Sequence, residues 1–321
     1  MPSEFDLIAR YFARPAPAGT LGVGDDCALF AVPSGMQVAT STDLLIQGRH
    51  FFPNVDPQAL GHKSLAVNLS DLAAMGARPL GCVLGLALPH ASEPWLAAFA
   101  RGFHALADSH ACPLLGGDTT RSPQDLAISV TVFGAVASDR ALRRDAAQIG
   151  DQIWVSGTLG AADVAYRLLD GRLPADDTLL TATRHALEWP EPRVALGQAL
   201  AGLAHAAIDI SDGLLQDLGH ILSASRMGAQ LRYDAMPIAP ALHGLSSSDT
   251  MHAVLGGGDV YELCFTAAAS EHDRILQSAA AAGVPVTVIG HITQDLGMVV
   301  LGADGSPLPT LPRGFDHFPV P

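Results

Sequence analysis

The chain has 321 residues, of which 49% are hydrophobic, and carries a formal net charge of -14 at pH 7. This length and composition predict two folded domains and exclude a mainly disordered chain. The acidic excess argues against a general binder of nucleic acid or anionic membrane, since either requires a basic surface. The acidic N-terminus lacks an apolar signal region, and no apolar run reaches membrane-spanning length, so a cytoplasmic protein is expected. The four cysteines have no CxxC spacing, which predicts small buried side chains in a reducing compartment.

Hydrophobic periodicity predicts a mixture of helices and strands in the first part of the chain. The predicted elements are a short helix over 4–12, a strand over 38–45, helices over 59–75 and 94–109, and a strand over 128–136. Asn68 and Asp71 lie three residues apart on the second of these helices, so their side chains are expected to project together.

The charged, less apolar segment 138–150 is the predicted domain boundary, which gives domains over 1–138 and 139–321. Beyond it we predict a strand over 152–156, a helix over 161–169, a polar loop over 171–178, a helix over 194–204, a strand over 207–210, a helix from Gly213, and strands over 261–266 and 284–289. Ser211 or Asp212 is the expected N-cap of the helix that starts near Gly213. Strands and helices in both halves indicate an α+β or α/β protein.

Five short acidic signatures join Asp to Gly, Ser, Thr or Asn. They are Gly24-Asp25-Asp26, Ser41-Thr42-Asp43, Asn68-Leu69-Ser70-Asp71, Gly116-Gly117-Asp118-Thr119-Thr120 and Ile208-Asp209-Ile210-Ser211-Asp212-Gly213. Carboxylates brought together repel one another unless cations lie between them, and Mg²⁺ is held by such oxygens and brings phosphates with it. Paired glycines also let a backbone approach a phosphate closely. The signatures therefore predict a magnesium-nucleotide enzyme.

In their order and surroundings these signatures closely resemble those of the thiamine-monophosphate kinase family. The segments that carry the resemblance are 22–29, 41–45, 48–51, 63–77, 115–121, 207–214 and 314–318. The resemblance runs almost end to end. The run from Asn68 to Ala77, which reads Asn-Leu-Ser-Asp-Leu-Ala-Ala-Met-Gly-Ala, is highly specific to these kinases and their near relatives.

The resemblance implies a two-domain fold shared with aminoimidazole-ribonucleotide synthetase, selenophosphate synthetase and a hydrogenase-maturation protein. It implies an N-terminal domain of a sheet plus helices that joins a second copy in a dimer β-barrel. It also implies a mixed α/β C-terminal domain that completes the ATP and substrate sites. The implied reaction passes the γ-phosphoryl group of ATP directly to thiamine monophosphate, with several Mg²⁺ ions and no phosphoenzyme. The expected partners are ATP, thiamine monophosphate and a second copy of the chain, with neither nucleic acid nor membrane.

Motif matching carries the family's site residues onto this sequence. The implied metal ligands are Asp26, Ser41, Thr42, Asp43, Asp71, Asp118, Asp209 and Asp212. The implied nucleotide contacts are Gly117, Asp118, Arg144 and Ser211, with Arg143 an alternative to Arg144 because the linker match is loose. His50, Asp259 and Phe315 fall where the family holds its thiamine substrate. Asp43, Asp71 and Asp118 are the implied catalytic residues, since phosphoryl transfer depends on positioning and charge neutralisation.

The sequence departs from the family pattern before the late strand. Where the family commonly reads Gly-Gly-Glu-Asp-Tyr-Glu-Leu, this chain has Asp259 and Val260 in place of the Glu and the Asp. Two alternatives stay open: another ATP-dependent synthetase of the superfamily, and a non-catalytic magnesium-nucleotide regulator, which this departure prompts. Selenophosphate synthetases carry a reactive residue near the N-terminus, but no Cys precedes Cys27 here, and the tail lacks the Cys of the hydrogenase-maturation relative.

Overall fold

A computed structural model describes residues 4–24 and 27–315. The chain forms two compact units, here called the N-terminal unit (Met1–Leu72 and Ala77–Asp139) and the C-terminal unit (Ala73–Gly76 and Arg140–Pro321). The predicted metal ligand Asp26 lies outside the described residues. Among the helices that are described, none combines the length and the apolarity needed to cross a lipid bilayer.

The N-terminal unit is built on a four-stranded sheet with the strand order β1-β4-β2-β3. Its elements are α1 (Glu4–Leu7), a π-helical turn (Ile8–Phe12), β1 (Met36–Ile46), α2 (Pro57–Ala74), β2 (Arg78–Leu88), α3 (Glu93–Ser109), β3 (Leu114–Arg121) and β4 (Ala127–Ala137). β4 pairs antiparallel with both β1 and β2, and β2 pairs parallel with β3.

Helix α2 is unusual because polar side chains are buried within it. Ser64, Asn68 and Ser70 have no exposed surface, although all three are polar. The Asp56 carboxylate caps the helix by accepting hydrogen bonds from the amides of Gln58 (2.8 Å) and Ala59 (3.0 Å). A helix buried in this way needs internal partners for its polar groups, and those partners identify the site described below.

The C-terminal unit is built on a six-stranded sheet with the order β10-β7-β9-β5-β8-β6. Its elements are β5 (Gln152–Ser156), α4 (Ala161–Leu169), α5 (Asp177–Glu188), α6 (Val194–Leu200), β6 (Ala206–Asp209), α7 (Leu214–Ser225), β7 (Gly228–Arg232), α8 (Ser247–Leu255), β8 (Leu263–Ala267), α9 (His272–Ala281), β9 (Val286–Thr293) and β10 (Gly297–Leu301). The β10–β7 pair is parallel and the others are antiparallel. Both units thus hold mixed strands and helices, which confirms an α+β protein.

Gly116, Gly117 and Asp118 lie within strand β3. Three local predictions need correction. The helix predicted over 194–204 ends at Leu200, and α5 already begins at Asp177 inside the predicted loop 171–178. Three cysteines are buried as predicted, but Cys27 is exposed.

Candidate active site

In the N-terminal unit, strand β1 and helix α2 bring two of the predicted carboxylates together. The Ser41 hydroxyl donates to Asp71 Oδ2 at 2.6 Å, and the Asp43 amide donates to Asn68 Oδ1 at 3.0 Å. Residues 41 and 43 share a strand face, and residues 68 and 71 share a helix face, so the two periodicities bring these four side chains into register.

The electrostatics of this pair are unfavourable without a cation. Burial, with the nearby charge of Asp71 as the second cause, raises the pKa of Asp43 from its ordinary 3.8 to about 7. The Asn68 side-chain amide donates to the Ser64 carbonyl at 3.1 Å, which orients its oxygen toward β1. Two carboxylates and a hydroxyl are the hard oxygen donors that Mg²⁺ prefers.

Thr42 and His50 lie close in sequence to this pair but have different surroundings. The Thr42 hydroxyl is 2.7 Å from that of Thr131 on β4, and strand alternation puts it on the sheet face opposite Asp43. In the turn after β1, His50 Nδ1 accepts a hydrogen bond from the Ile46 amide at 3.0 Å. This bond places the proton of a neutral ring on Nε2, which is then a hydrogen-bond donor.

Gly117 and Asp118 lie on β3, at the other edge of the sheet from β1. Two strands lie between β1 and β3, and Asp118 is not grouped with Asp43 and Asp71 closely enough for the three carboxylates to hold one metal ion. Gly117 has a φ of +153°, and a Cβ built there would lie 1.9 Å from the Leu84 carbonyl oxygen, so only glycine fits. A small pocket of about 40 Å³ adjoins both residues.

Over residues 4–24 and 27–315, no three His, Cys, Asp or Glu side chains are grouped closely enough to hold a metal ion by themselves. The metal-binding potential of the N-terminal unit therefore rests on the Asp43–Asp71 pair, with further ligands supplied by bound phosphates or water.

In the C-terminal unit, the predicted site residues Asp209, Ser211 and Asp212 lie at the end of β6 and in the loop that follows. We call residues 211–213 the β6–α7 loop. Its three backbone amides, from Ser211, Asp212 and Gly213, all donate to Asp217 Oδ2, at 3.0, 3.0 and 3.1 Å. The expected N-cap by Ser211 or Asp212 is wrong: Gly213 occupies that position, and Asp217 reaches back from the first turn.

Asp217 is almost fully buried, with 3% of its surface exposed. Burial is the main reason that its pKa is raised to about 7. The charge of Asp212 adds to this rise, while the three amide hydrogen bonds oppose it. Sequence reasoning missed Asp217, although its position four residues after Gly213, in the first turn of a predicted helix, was the available signal.

The segment that carries Asp259 is strained and is bonded both to Ile210 and to the β6–α7 loop. Asp259 and Tyr261 both have left-handed backbones, with φ values of 59° and 54°. The Asp259 amide donates to the Ser211 carbonyl and the Tyr261 amide to the Ile210 carbonyl, each at 2.8 Å. Backbones of this kind persist only when the surrounding structure fixes them, and they occur often at functional sites.

A buried ion pair secures the end of this strained segment. The Arg193 guanidinium donates to both carboxylate oxygens of Glu262, from Nε at 2.8 Å and from Nη2 at 2.5 Å. The Ser156 hydroxyl also donates to Glu262. Because the pair is bidentate and largely desolvated, it fixes the chain direction immediately after Asp259 and Val260.

Phe315 is also held by the β6–α7 loop. Its amide donates to the Asp212 carbonyl at 2.9 Å, and its carbonyl accepts from Gln216 Nε2 at 2.7 Å. Its residue surface is 38% exposed, so the ring keeps an accessible part. The structure thus joins two predicted substrate residues, Asp259 and Phe315, to one loop of the C-terminal unit, while His50 belongs to the N-terminal unit.

The two candidate nucleotide-binding arginines have different surroundings. Arg143 donates to both carboxylate oxygens of Asp145, from Nε at 2.8 Å and from Nη2 at 2.6 Å. Arg144 has an exposed side chain, and its backbone carbonyl accepts from the Ser225 hydroxyl at 2.8 Å. Arg144 therefore has the more available guanidinium of the two.

Two family models match most of the chain. The N-terminal domain of AIR synthase related proteins matches residues 24–136, and the C-terminal domain of the same proteins matches residues 148–301. These ranges contain most of the acidic signatures and the β6–α7 loop.

Full-length relatives agree with these matches. The thiamine-monophosphate kinase of Salmonella typhimurium is 42% identical over 99% of both chains. A crystal structure of thiamine-monophosphate kinase from Stenotrophomonas maltophilia is 48% identical, has a TM-score of 0.83, and covers 91% of this chain and 93% of that one. The structure of AaThiL complexed with AMPPCP and TMP is 27% identical, has a TM-score of 0.76, and covers 90% of this chain and 89% of that one.

Proposed function

We propose that this chain, which belongs to the thiamine-monophosphate kinase family, transfers the γ-phosphoryl group of ATP to thiamine monophosphate, giving thiamine diphosphate and ADP. It is a kinase of thiamine biosynthesis, and the resemblance predicted from its motifs is confirmed by relatives that match over almost the whole chain. The structural observation that carries the proposal is the half-buried Asp43–Asp71 pair, held by Ser41 and Asn68.

The residues of this pair fit magnesium. Asp43 and Asp71 would hold the cation with Ser41, and the cation would neutralise phosphate charge during transfer. Asp26, Asp209 and Asp212 are the further proposed ligands. Thr42, whose hydroxyl lies on the sheet face opposite Asp43, would join them only through its backbone oxygen. The raised pKa of Asp43 supports the assignment, because a bound cation would relieve the repulsion that contributes to it.

The proposed nucleotide contacts are Gly117, Asp118, Arg144 and Ser211. Glycine is required at position 117 because the Leu84 carbonyl oxygen of β2 approaches it closely, and Asp118 beside it can hold the metal that a bound phosphate carries. We choose Arg144 over Arg143 because Asp145 occupies the Arg143 guanidinium. An Arg near the transferred group stabilises the charge spread over its oxygens.

The proposed contacts to thiamine monophosphate are His50, Asp259 and Phe315. His50 is fixed as an Nε2–H donor suited to a phosphate oxygen. Phe315 offers an aromatic ring to the cationic thiazolium, as in other cation–π contacts. The AaThiL structure, with AMPPCP and TMP bound, supports two ligand sites of this kind in the family.

The reaction needs no strong base from the protein. An oxygen of the thiamine phosphate attacks the γ-phosphorus, the bond from that phosphorus to the β,γ-bridging oxygen breaks, and ADP leaves with the electron pair. The nucleophile is already an anionic oxygen, so the chain has only to align it, exclude water and neutralise charge.

The test is to follow ADP and thiamine diphosphate together, with and without thiamine monophosphate. We expect equimolar formation of both products, and no more than background ADP release without the acceptor. ADP formed without thiamine diphosphate would favour a related synthetase, and nucleotide binding without turnover would favour a regulator. Either result would overturn the proposal.

We also propose that the chain forms a homodimer through the N-terminal sheet, in the β-barrel that the family resemblance implies. On edge strand β1 the even-numbered face carries Met36, Val38, Leu44 and Ile46, which are 37–54% exposed. An exposed, apolar edge strand of eleven residues favours association with another chain.

Sedimentation velocity at micromolar concentration tests the dimer. Leu44→Glu should convert a dimer to monomers, because it places a charge in the covered face. Leu296→Glu is the matched control, since Leu296 is 78% exposed and belongs to the C-terminal unit. A wild-type monomer, or equal effects of the two substitutions, would refute the assignment.

A further inference from the structure

The first turn of helix α7 is hydrogen-bonded to two segments of the chain. The proposed function assigns metal and nucleotide to one of them and thiamine monophosphate to the other. Asp217 accepts three hydrogen bonds from the β6–α7 loop, which carries the proposed metal and nucleotide residues Asp212 and Ser211. Its neighbour Gln216 donates to the carbonyl of Phe315, the proposed thiazolium contact.

Asp217 determines the path of the β6–α7 loop. A single oxygen receives three consecutive amides, a geometry that the loop can adopt only around one acceptor. Without that acceptor, the amide of Gly213 would be buried and unpaired. A Cβ at Gly213 would lie 2.6 Å from the Gly256 carbonyl oxygen, so the loop is also confined on its other side.

The hydrogen bond from the Gln216 side chain reaches the backbone of Phe315 and not the Phe315 ring. The Phe315 amide is bonded to Asp212 and its carbonyl to Gln216, so both polar groups of this residue are fixed. The preceding residue fits tightly: a Cβ at Gly314 would lie 2.6 Å from Gln216 Oε1 and 2.7 Å from the Asp212 carbonyl oxygen. These bonds use the backbone of Phe315, and the residue is 38% exposed.

We propose that the first turn of α7 is a positioning element of the phosphoryl-transfer site, in which Asp217 holds the β6–α7 loop and Gln216 holds Phe315 against that loop. This inference rests on the proposed function. Neither residue contacts reacting atoms, so both act through the residues they hold. Gln216 should govern the binding of thiamine monophosphate, and Asp217 the use of ATP.

Gln216→Glu tests the first half. Glutamate keeps the length and shape of the side chain but cannot donate to the Phe315 carbonyl. We expect the KM for thiamine monophosphate to rise about threefold to thirtyfold, the range of a lost cation–π contact, with the KM for ATP unchanged. Gln277→Glu, an exposed position on α9, is the matched control and should change neither constant.

A double-mutant cycle distinguishes positioning from general stabilisation. If Gln216 acts through Phe315, then Gln216→Glu in a Phe315→Ala background should add almost nothing to the KM of the single variant. Additive effects would overturn this half of the proposal, as would an unchanged KM in the single variant Gln216→Glu.

Asp217→Ala and Asp217→Asn test the second half. Alanine removes the acceptor, whereas asparagine can present its carbonyl oxygen to the same amides. We expect Asp217→Ala to raise the KM for ATP and lower turnover at least tenfold, and Asp217→Asn to restore most of both. Equal losses in the two variants would refute the role. If Asp217→Ala does not fold, two measurements still test the proposal. They are the KM for ATP and the turnover of Asp217→Asn, which should be near the wild-type values, and the double-mutant cycle of Gln216 and Phe315.

Hydrogen exchange reads the positioning without relying on turnover. In ligand-free protein, the amides of 211–213 should exchange faster in Asp217→Ala than in Asp217→Asn or wild type. If the wild type fails to phosphorylate thiamine monophosphate, the proposed function is wrong. The exchange rates of the amides of 211–213 still show whether Asp217 fixes the β6–α7 loop. Unchanged exchange in Asp217→Ala would overturn the positioning role even in an active enzyme.

Discussion

Each unit contains a carboxylate with a raised pKa, and the surroundings of the two carboxylates differ. Asp43 in the N-terminal unit and Asp217 in the C-terminal unit both have a pKa raised to about 7, chiefly by burial. Asp217 is surrounded by three amide donors, whereas the second influence on Asp43 is the negative charge of Asp71. Amide donors thus offset the burial of Asp217, whereas a bound cation would neutralise the repulsion between Asp43 and Asp71.

This difference distinguishes a loop whose conformation is fixed before ligands bind from a carboxylate pair whose charge a bound ligand would neutralise. In the Asp43–Asp71 pair, the Ser41 hydroxyl donates to Asp71, and Asp43 lies within the influence of a second negative charge. The β6–α7 loop already has its shape, and so do the segments around Asp259 and Phe315 that are bonded to it. Substitutions in the two regions should therefore affect activity and stability differently.

The largest effect is expected from Asp43→Asn and Asp71→Asn. Each should lower turnover at least about a hundredfold, because each removes a preorganised charge from the proposed metal site. The melting temperature of ligand-free protein should hold or rise, since each change relieves the repulsion between the two carboxylates. Steady-state kinetics and thermal unfolding measure the two effects.

Asp125→Asn is the matched control, because Asp125 is exposed in the same unit. It should change neither turnover nor melting temperature. If Asp43→Asn and Asp71→Asn keep near-wild-type activity, the metal assignment is wrong. If instead they melt well below the wild type, the pair is a structural hydrogen-bonding unit rather than a cation site.

The pH dependence of stability sharpens the comparison. The folded-state pKa of Asp43, about 7, lies above its ordinary 3.8, so folded protein binds more protons than unfolded protein between these values. The stabilisation by Asp43 is therefore complete below about pH 4 and is lost as the pH rises through 7. In EDTA, the melting temperature of wild type minus that of Asp43→Asn should fall over this range.

Excess Mg²⁺ should reverse that slope for Asp43, because the cation binds only the deprotonated carboxylates and stabilises the folded state. For Asp217, which also has a raised pKa, the difference between wild type and Asp217→Asn should fall with pH whether or not Mg²⁺ is present. A magnesium response at Asp217 as large as that at Asp43 would contradict the distinction between the two regions.

The sequence predicted elements that have strong periodicity. β5 and α4 have their predicted bounds, and α2 runs over Pro57–Ala74 against a predicted 59–75. The spacing of Asn68 and Asp71 also identified the helix face that meets β1. In each case the pattern is local, so neighbouring residues contain the information.

Features that depend on distant contacts were missed. β3 contains two glycines and an Asp and was not predicted as a strand, but pairing with β2 makes it one. Asp217 reads as an ordinary residue of the first helical turn, and only the fold shows that three amides of the preceding loop converge on it. The backbone strain at Asp259 and Tyr261 likewise has no local signal, since neither residue is glycine.

A moderate effect is expected at the organic substrate. Phe315→Ala should raise the KM for thiamine monophosphate a few-fold to about thirtyfold, the range of a cation–π contact, and leave the KM for ATP nearly unchanged. The backbone bonds of Phe315 do not depend on its ring, so the stability should change little. Phe318 lies outside the described residues, so Phe30→Ala, with its ring against Phe133 in the N-terminal unit, serves as the aromatic control. A raised KM for ATP in Phe315→Ala would mean that the ring only packs against the protein and does not contact thiamine monophosphate.

The smallest effect is expected where the chain departs from its family. Asp259 has a left-handed backbone, which Asp tolerates better than most residues, and its Oδ1 accepts from the Tyr261 hydroxyl at 3.1 Å. Asp259→Glu extends the carboxylate by one methylene, so it should lower the KM for thiamine monophosphate a few-fold if reach limits binding. Val260 packs against the C-terminal core, so adding Val260→Asp should keep that KM gain but lower the melting temperature. Asp273→Glu, on the exposed surface of α9, controls for the added methylene. If Asp259→Glu raises the KM, then Asp is the better fit to this backbone, and the departure is an adaptation of the segment rather than a loss of reach.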